Sequence, residues 1–171
     1  MHRLRFFSEK HREWVTALFG KVRSHYGKDL VSLALYGSYA RRENRMNSDI
    51  DLVVILNSSP GGRLQRQEDF VKHVEFPIET LAVDCGKEGL QTDVSSLILS
   101  RNEASGFLPI YLDMVAHHVL IVDRDRFMEE ILRKTAEKMK RWGSLRKEAG
   151  GHWYWEIRPG LRWNEAIDYD Q

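Results

Sequence analysis

The stretch from Leu33 to Leu56, LALYGSYARRENRMNSDIDLVVIL, constrains the chain more than any other. An apolar run from Val31 to Tyr36 ends in Gly37-Ser38. Ten residues further on, Asp49-Ile50-Asp51 opens a second apolar run, Leu52 to Leu56. In the first run Val31, Leu33 and Leu35 alternate with Ser32, Ala34 and Tyr36. That pattern predicts a strand with Val31, Leu33 and Leu35 on one face. The unbroken second run predicts a strand covered on both faces. Ser38 to Arg42 can begin a short helix directly after Gly37, and Glu43 to Ser48 reads as a polar loop.

The flanking segments predict helices on either side of such strands. Ser8 is an N-cap, and Trp14, Val15, Leu18, Phe19, Val22 and Tyr26 recur at helical spacing until Gly27. Arg63 to Val74 reads as a polar helix, after a loop through Asn57 to Gly62. Ile78 to Asp84 fits helix or strand. Thr92 to Leu99 reads as a third strand, Phe107 to His118 as a helix and Val119 to Val122 as a short strand. A helix follows Asp125 to about Gly143, with Glu129 and Glu130 early and Lys138, Lys140 and Arg141 late, as the helix dipole favours. The charge-rich 133–147 segment reads as a solvated helix face. The alternation of elements gives an α/β (α+β) fold, a small mixed β-sheet backed by helices.

The central stretch carries chemistry. Residues i and i+2 of a strand project together, ~6.5–7 Å apart, so Asp49 and Asp51 share a face with Ile50 opposite. Such a pair suits Mg²⁺, which takes one or two carboxylates plus phosphate oxygens. Gly37 lets backbone approach a phosphate closely. The Ser38 hydroxyl can donate to it, and Arg41 and Arg42 lie one turn on. Gly-Ser, ten residues and D-x-D, set between two apolar strands, are far more specific together than either part alone.

This combination resembles the signature of the DNA polymerase β-like nucleotidyltransferase superfamily. YGSYARRENRMNSDIDLVVIL is similar to its minimal, single-domain prokaryotic branch. The resemblance implies that Gly37 and Ser38 seat a triphosphate, with Arg41 assisting. It also implies that Asp49, Asp51 and a third carboxylate on a neighbouring strand hold Mg²⁺. Asp93, before the apolar run of LQTDVSSLIL, is the first candidate for that third group, and Asp84, in LAVDCG, is the second. The expected reaction is transfer of a nucleoside monophosphate, AMP from ATP, to an acceptor hydroxyl. In this branch a common acceptor is a HEPN-type toxin protein, which implies an antitoxin role. Many relatives carry glycine where this chain has Arg42.

Length and composition narrow the rest. The 171 residues suit one domain, expected over 1–150, with an aromatic-rich tail over 151–171 that packs on the domain or on a partner. A net charge of +1 predicts neither nucleic-acid coating nor membrane attraction. The single Cys85 and the absence of a secretory h-region predict a cytoplasmic protein. His117-His118 reads as a helix-end pair and Cys85 as an inert thiol. The rival class is a non-catalytic protein that binds a partner or senses a nucleotide. Base specificity and oligomeric state stay open at this level.

Overall fold

The computed structural model describes residues 4–58, 61–150 and 152–160. Ser59, Pro60 and the tail from 161 onward lie outside them. The first helix, α1, spans Glu9–Tyr26. The Ser8 hydroxyl accepts the His11 N–H at 3.2 Å, and Gly27, at φ 48°, ends the helix. Its stripe of Trp14, Val15, Leu18, Phe19 and Val22 is fully buried, as the spacing predicts.

Four strands form the sheet: β1 (Leu30–Tyr36), β2 (Ile50–Leu56), β3 (Val94–Ser100) and β4 (Val119–Asp123), in the order β3-β2-β1-β4. β1 runs antiparallel to β2 and β4, and β2 parallel to β3. Both faces are covered. On one, Leu33, Leu35, Ile50, Leu52 and Val54 meet α1 and α4 (Glu79–Gly86). On the other, Ala34, Val53 and Ile55 meet α6 (Ile110–Ala116) and α7 (Phe127–Trp142). Two-sided burial explains why β2 is uninterruptedly apolar.

Several elements differ from the sequence reading, each for a local reason. The β1–β2 register shifts between Leu30 and Ser32, so Val31 is bulged onto the face opposite Leu33 and Leu35. The helix after the loop, α3 (Arg63–Phe70), stops at Phe70 and continues as a π-helical turn, Val71–Glu75. The segment 78–84, open between helix and strand in sequence, is helical: Ile78 ends a 3-10 turn and α4 follows from Glu79. A short helix, α5 (Arg101–Ser105), follows β3 and is capped by Ser100 and Glu103. After α7 the chain turns at Gly143, φ 68°, into a hairpin of β5 (Leu145–Ala149) and β6 (His152–Glu156). The charge-rich 133–147 segment is thus divided between α7 and β5, and the hairpin begins ahead of residue 151. Cys85 is buried, and burial raises its thiol pKa. No helix among the described residues is long and apolar enough to cross a membrane.

Arg66 of α3 ties this layer together. Its guanidinium donates to the carbonyls of Gly61 and Ile98 and to both oxygens of Glu103. Glu103 also accepts from the Ser100 N–H and hydroxyl, each at 2.7 Å. Arg66 first, then Ser100, lowers the Glu103 carboxyl from its ordinary 4.5 to about 2. A depressed carboxylate pKa contributes stability above the unfolded value, and that contribution is lost as pH falls towards the folded one. Glu103 is 44% exposed, so screening limits its worth to about 1 kcal/mol. Glu103→Gln is expected to lower Tm at pH 7 by roughly 2–4 °C. In thermal melts the gap between the two proteins should close as pH falls from 4.5 towards 2. A gap unchanged by pH would mean that the charge plays no part.

Candidate nucleotide and metal site

The chain passes from β1 into α2 (Gly37–Arg41) without a linker, and the antiparallel ladder places Tyr36 opposite Asp51. Gly37 has φ 66°, in the region that disfavours a Cβ. A Cβ on Gly37 would lie 1.9 Å from Asp51 Oδ2 and 2.8 Å from its Cγ. Glycine is therefore required twice, by backbone angle and by the carboxylate pressed against it. The turn and the acidic motif form a single packed unit.

Three further observations shape this unit. Burial first, then the neighbouring Asp49 charge, raises the Asp51 carboxyl from 3.8 to about 6, against a smaller opposing pull from Arg41. The Ser38 hydroxyl is buried and has no hydrogen-bond partner. Tyr36, which sequence reasoning passed over, has its phenol pushed up to about 12 by burial, then by Asp51 and Asp49, while a hydrogen bond from Ser95 opposes them. A half-buried Asp51 with exposed Asp49 beside it, next to an unpaired hydroxyl, fits a divalent cation and an anionic oxygen-rich ligand.

α2 is held from beneath. Tyr39 is buried, with its hydroxyl 2.9 Å from His11 Nε2. His11 Nδ1 accepts the Phe7 N–H at 3.3 Å, so Nε2 carries the ring proton and donates to Tyr39. Burial lowers the His11 pKa and favours this neutral form. Arg42 caps α2 at φ 62°, a left-handed position where glycine is unstrained. Arg41 pairs with Glu43 at 2.8 Å.

The remaining sequence candidates separate. Ile50 N–H donates to the Asp93 carbonyl at 2.9 Å, so Asp93 stands one residue before the β2–β3 ladder, as Asp49 does. Strand alternation puts it on the face of Asp51 and of Ser95, which is the Cα partner of Asp51. Its carboxylate, however, accepts from Gln91. Asp49, Asp51 and Asp93 do not bring ligand atoms within 4.8 Å of one another. Asp84 is partly exposed on α4, paired with Lys87 at 2.7 Å. The hairpin returns to the domain: Trp155 Nε1 donates to Asp113 Oδ1 at 2.6 Å, and Arg146, Trp153 and Trp155 line a narrow cleft with Arg41. The alternating aromatics of HWYWE signal this return. Asp113 and Arg146 leave no signal in sequence.

The Gly37–Asp51 contact is measurable. Gly37→Ala is expected to cost about 2–3 kcal/mol in urea unfolding, from the left-handed angle plus displacement of the carboxylate. In an Asp51→Gly background the same change should cost about 1 kcal/mol, the angle alone. Equal costs in both backgrounds would contradict the contact.

Residues 15–86 match the family model for the nucleotidyltransferase domain. The chain is 27% identical over 123 residues to a candidate protein adenylyltransferase of Methanocaldococcus jannaschii, across 71% of this chain and 78% of that protein. It is 31% identical over 124 residues to the bifunctional uridylyltransferase/uridylyl-removing enzyme of Legionella pneumophila, across 69% of this chain but only 12% of that enzyme. Its fold is similar to that of a spectinomycin adenyltransferase from Enterococcus faecialis solved with ATP and spectinomycin. The TM-score there is 0.51 at 14% identity, over 77% of this chain and 68% of that one. The match to the nucleotidyltransferase domain thus runs through residues 15–86, which include Gly37, Ser38, Asp49 and Asp51.

Proposed function

We propose that this nucleotidyltransferase moves AMP from ATP to a hydroxyl on a protein acceptor, with Mg²⁺ held by Asp49 and Asp51. The observation that carries the reading is the Gly37–Asp51 contact, which joins a phosphate turn to an acidic pair. The buried, unpaired Ser38 hydroxyl supports a phosphate there. Bound Mg²⁺ would supply charge to the triphosphate and lower the pKa of the attacking hydroxyl. In the reaction the acceptor oxygen bonds to the α-phosphorus, and pyrophosphate leaves. Gly37 and Ser38 hold the β- and γ-phosphates, and Arg41 adds positive charge beside them. Asp93 is the proposed third carboxylate and takes the acceptor proton. This role requires it to leave Gln91 and turn towards Asp49, a tightening that sites without substrate often need.

The choice of AMP and of a protein acceptor is supported by the name of the M. jannaschii relative and by the sequence resemblance to the minimal branch. That resemblance points to a HEPN-type toxin as the acceptor and to an antitoxin role. The hairpin adds a surface for such a partner: Leu145, Trp153 and Tyr154 are exposed, close to the cleft beside Arg41. The second reading is a nucleotide sensor or binding protein without turnover. That Asp49, Asp51 and Asp93 do not form a cluster with all ligand atoms within 4.8 Å of one another favours it.

Labelled ATP, Mg²⁺ and a lysate of the source cell distinguish the two. The transfer reading predicts label on a protein hydroxyl. It predicts a loss exceeding ~100-fold in Asp49→Asn or Asp51→Asn, and in Asp93→Asn a loss of ~10²–10⁴-fold, the usual worth of a general base. Label that persists in the Asp49 and Asp51 variants would overturn the site. An Asp93→Asn rate equal to the parent's would remove Asp93 from the chemistry. ATP binding with no labelled acceptor would establish the sensor reading.

A further inference from the structure

At the other end of β2 from Asp51, a second group of ligand-forming side chains comes together. His25 closes the last turn of α1, Asp69 lies in α3, and His73 lies in the π-helical turn that follows. Their ligand atoms all fall within 4.8 Å of one another, and no other group of three His, Cys, Asp or Glu does so among the described residues. We propose that His25, Asp69 and His73 bind a Zn²⁺-class transition-metal ion, distinct from the cation of the nucleotide site.

The geometry favours such an ion. His25 Nε2 lies 2.7 Å from Asp69 Oδ2, and His73 Nδ1 lies 3.0 Å from Asp69 Oδ1. The two imidazoles stack with 4.8 Å between centroids and 7° between planes, and His73 Nδ1 also lies 3.0 Å from the Asp69 backbone carbonyl, a contact that a metal ion would replace. Tetrahedral zinc with bonds of ~2.0–2.1 Å sets ligand atoms about 3.3 Å apart. Each of these pairs must open by a few tenths of an ångström and the two imidazoles must converge on one carboxylate oxygen, and the side chains, 24–43% exposed, have room to move. Water completes the fourth position. Two imidazoles and one carboxylate select zinc over the hard, oxygen-seeking Mg²⁺.

Two independent features point the same way. The π turn inserts an extra residue into the α3 continuation, a device that concentrates at functional positions. Next to the cluster the Tyr26 hydroxyl is buried without a hydrogen-bond partner. A cavity of about 390 Å³ adjoins it, lined by His25, Tyr26, Gln65 and Asp69. A metal-bound water has space there. The ion would join the end of α1 to α3 and to the π-helical turn that follows it.

The test uses the untagged full chain carrying Asp49→Asn and Asp51→Asn, with Mg²⁺ in excess, so that the nucleotide site takes no part. Calorimetric titration with Zn²⁺ is expected to show one equivalent bound. Co²⁺ in its place should give the visible absorption bands of a four-coordinate nitrogen–oxygen site. His25→Ala and His73→Ala, with the fold checked by circular dichroism, should each weaken binding by more than ~10-fold, since even outer-sphere partners cost that much. Absence of Co²⁺ bands in the parent, or unchanged Zn²⁺ affinity in both histidine variants, would overturn the site. Neither result would bear on nucleotide transfer.

Discussion

The contact between Gly37 and Asp51 is the constraint on which the site depends. It exists because β1 and β2 are antiparallel neighbours whose ladder sets Tyr36 opposite Asp51. The chain leaving Tyr36 must then turn at a residue with positive φ, directly over a carboxylate. Only glycine satisfies both demands. Everything else holds this contact in place. Two apolar layers fix the strands, and His11 bonds Tyr39 from beneath the turn.

The electrostatics follow from the same packing. Close approach of backbone to Asp51 removes water from the carboxylate, and Asp49 adds like charge. The pair therefore carries more negative charge than its surroundings compensate. Such an arrangement is unfavourable alone and favourable with a cation. The unpaired Ser38 hydroxyl expresses the same incompleteness on the phosphate side. On the proposed reading the protein forms half of a site, which a metal–nucleotide complex would complete.

Much of this was legible in the sequence because the motif is local. Gly37, Ser38, Asp49 and Asp51 fall within fifteen consecutive positions, and strand alternation gives their faces. The caps of α1, Ser8 and Gly27, were equally plain. Features set by distant contacts or by register were not. The Val31 bulge depends on pairing with β2. The direction of the Asp93 side chain depends on Gln91. Glu103 belongs to a Ser-x-x-Glu capping signature that the sequence does contain, but its reach to Arg66 spans 37 positions. His25 and Asp69, 44 positions apart, meet only because α3 crosses the end of α1.

The central claim is that the turn and the two aspartates form one nucleotide–metal site. A crystal structure with Mn²⁺, an anomalous scatterer that substitutes for Mg²⁺, and a non-hydrolysable ATP analogue tests it most directly. The account predicts an anomalous peak in contact with both Asp49 and Asp51, and a triphosphate oxygen within hydrogen-bonding distance of Ser38 Oγ. A triphosphate bound away from Gly37-Ser38, or Mn²⁺ bound with neither aspartate as ligand, would contradict it.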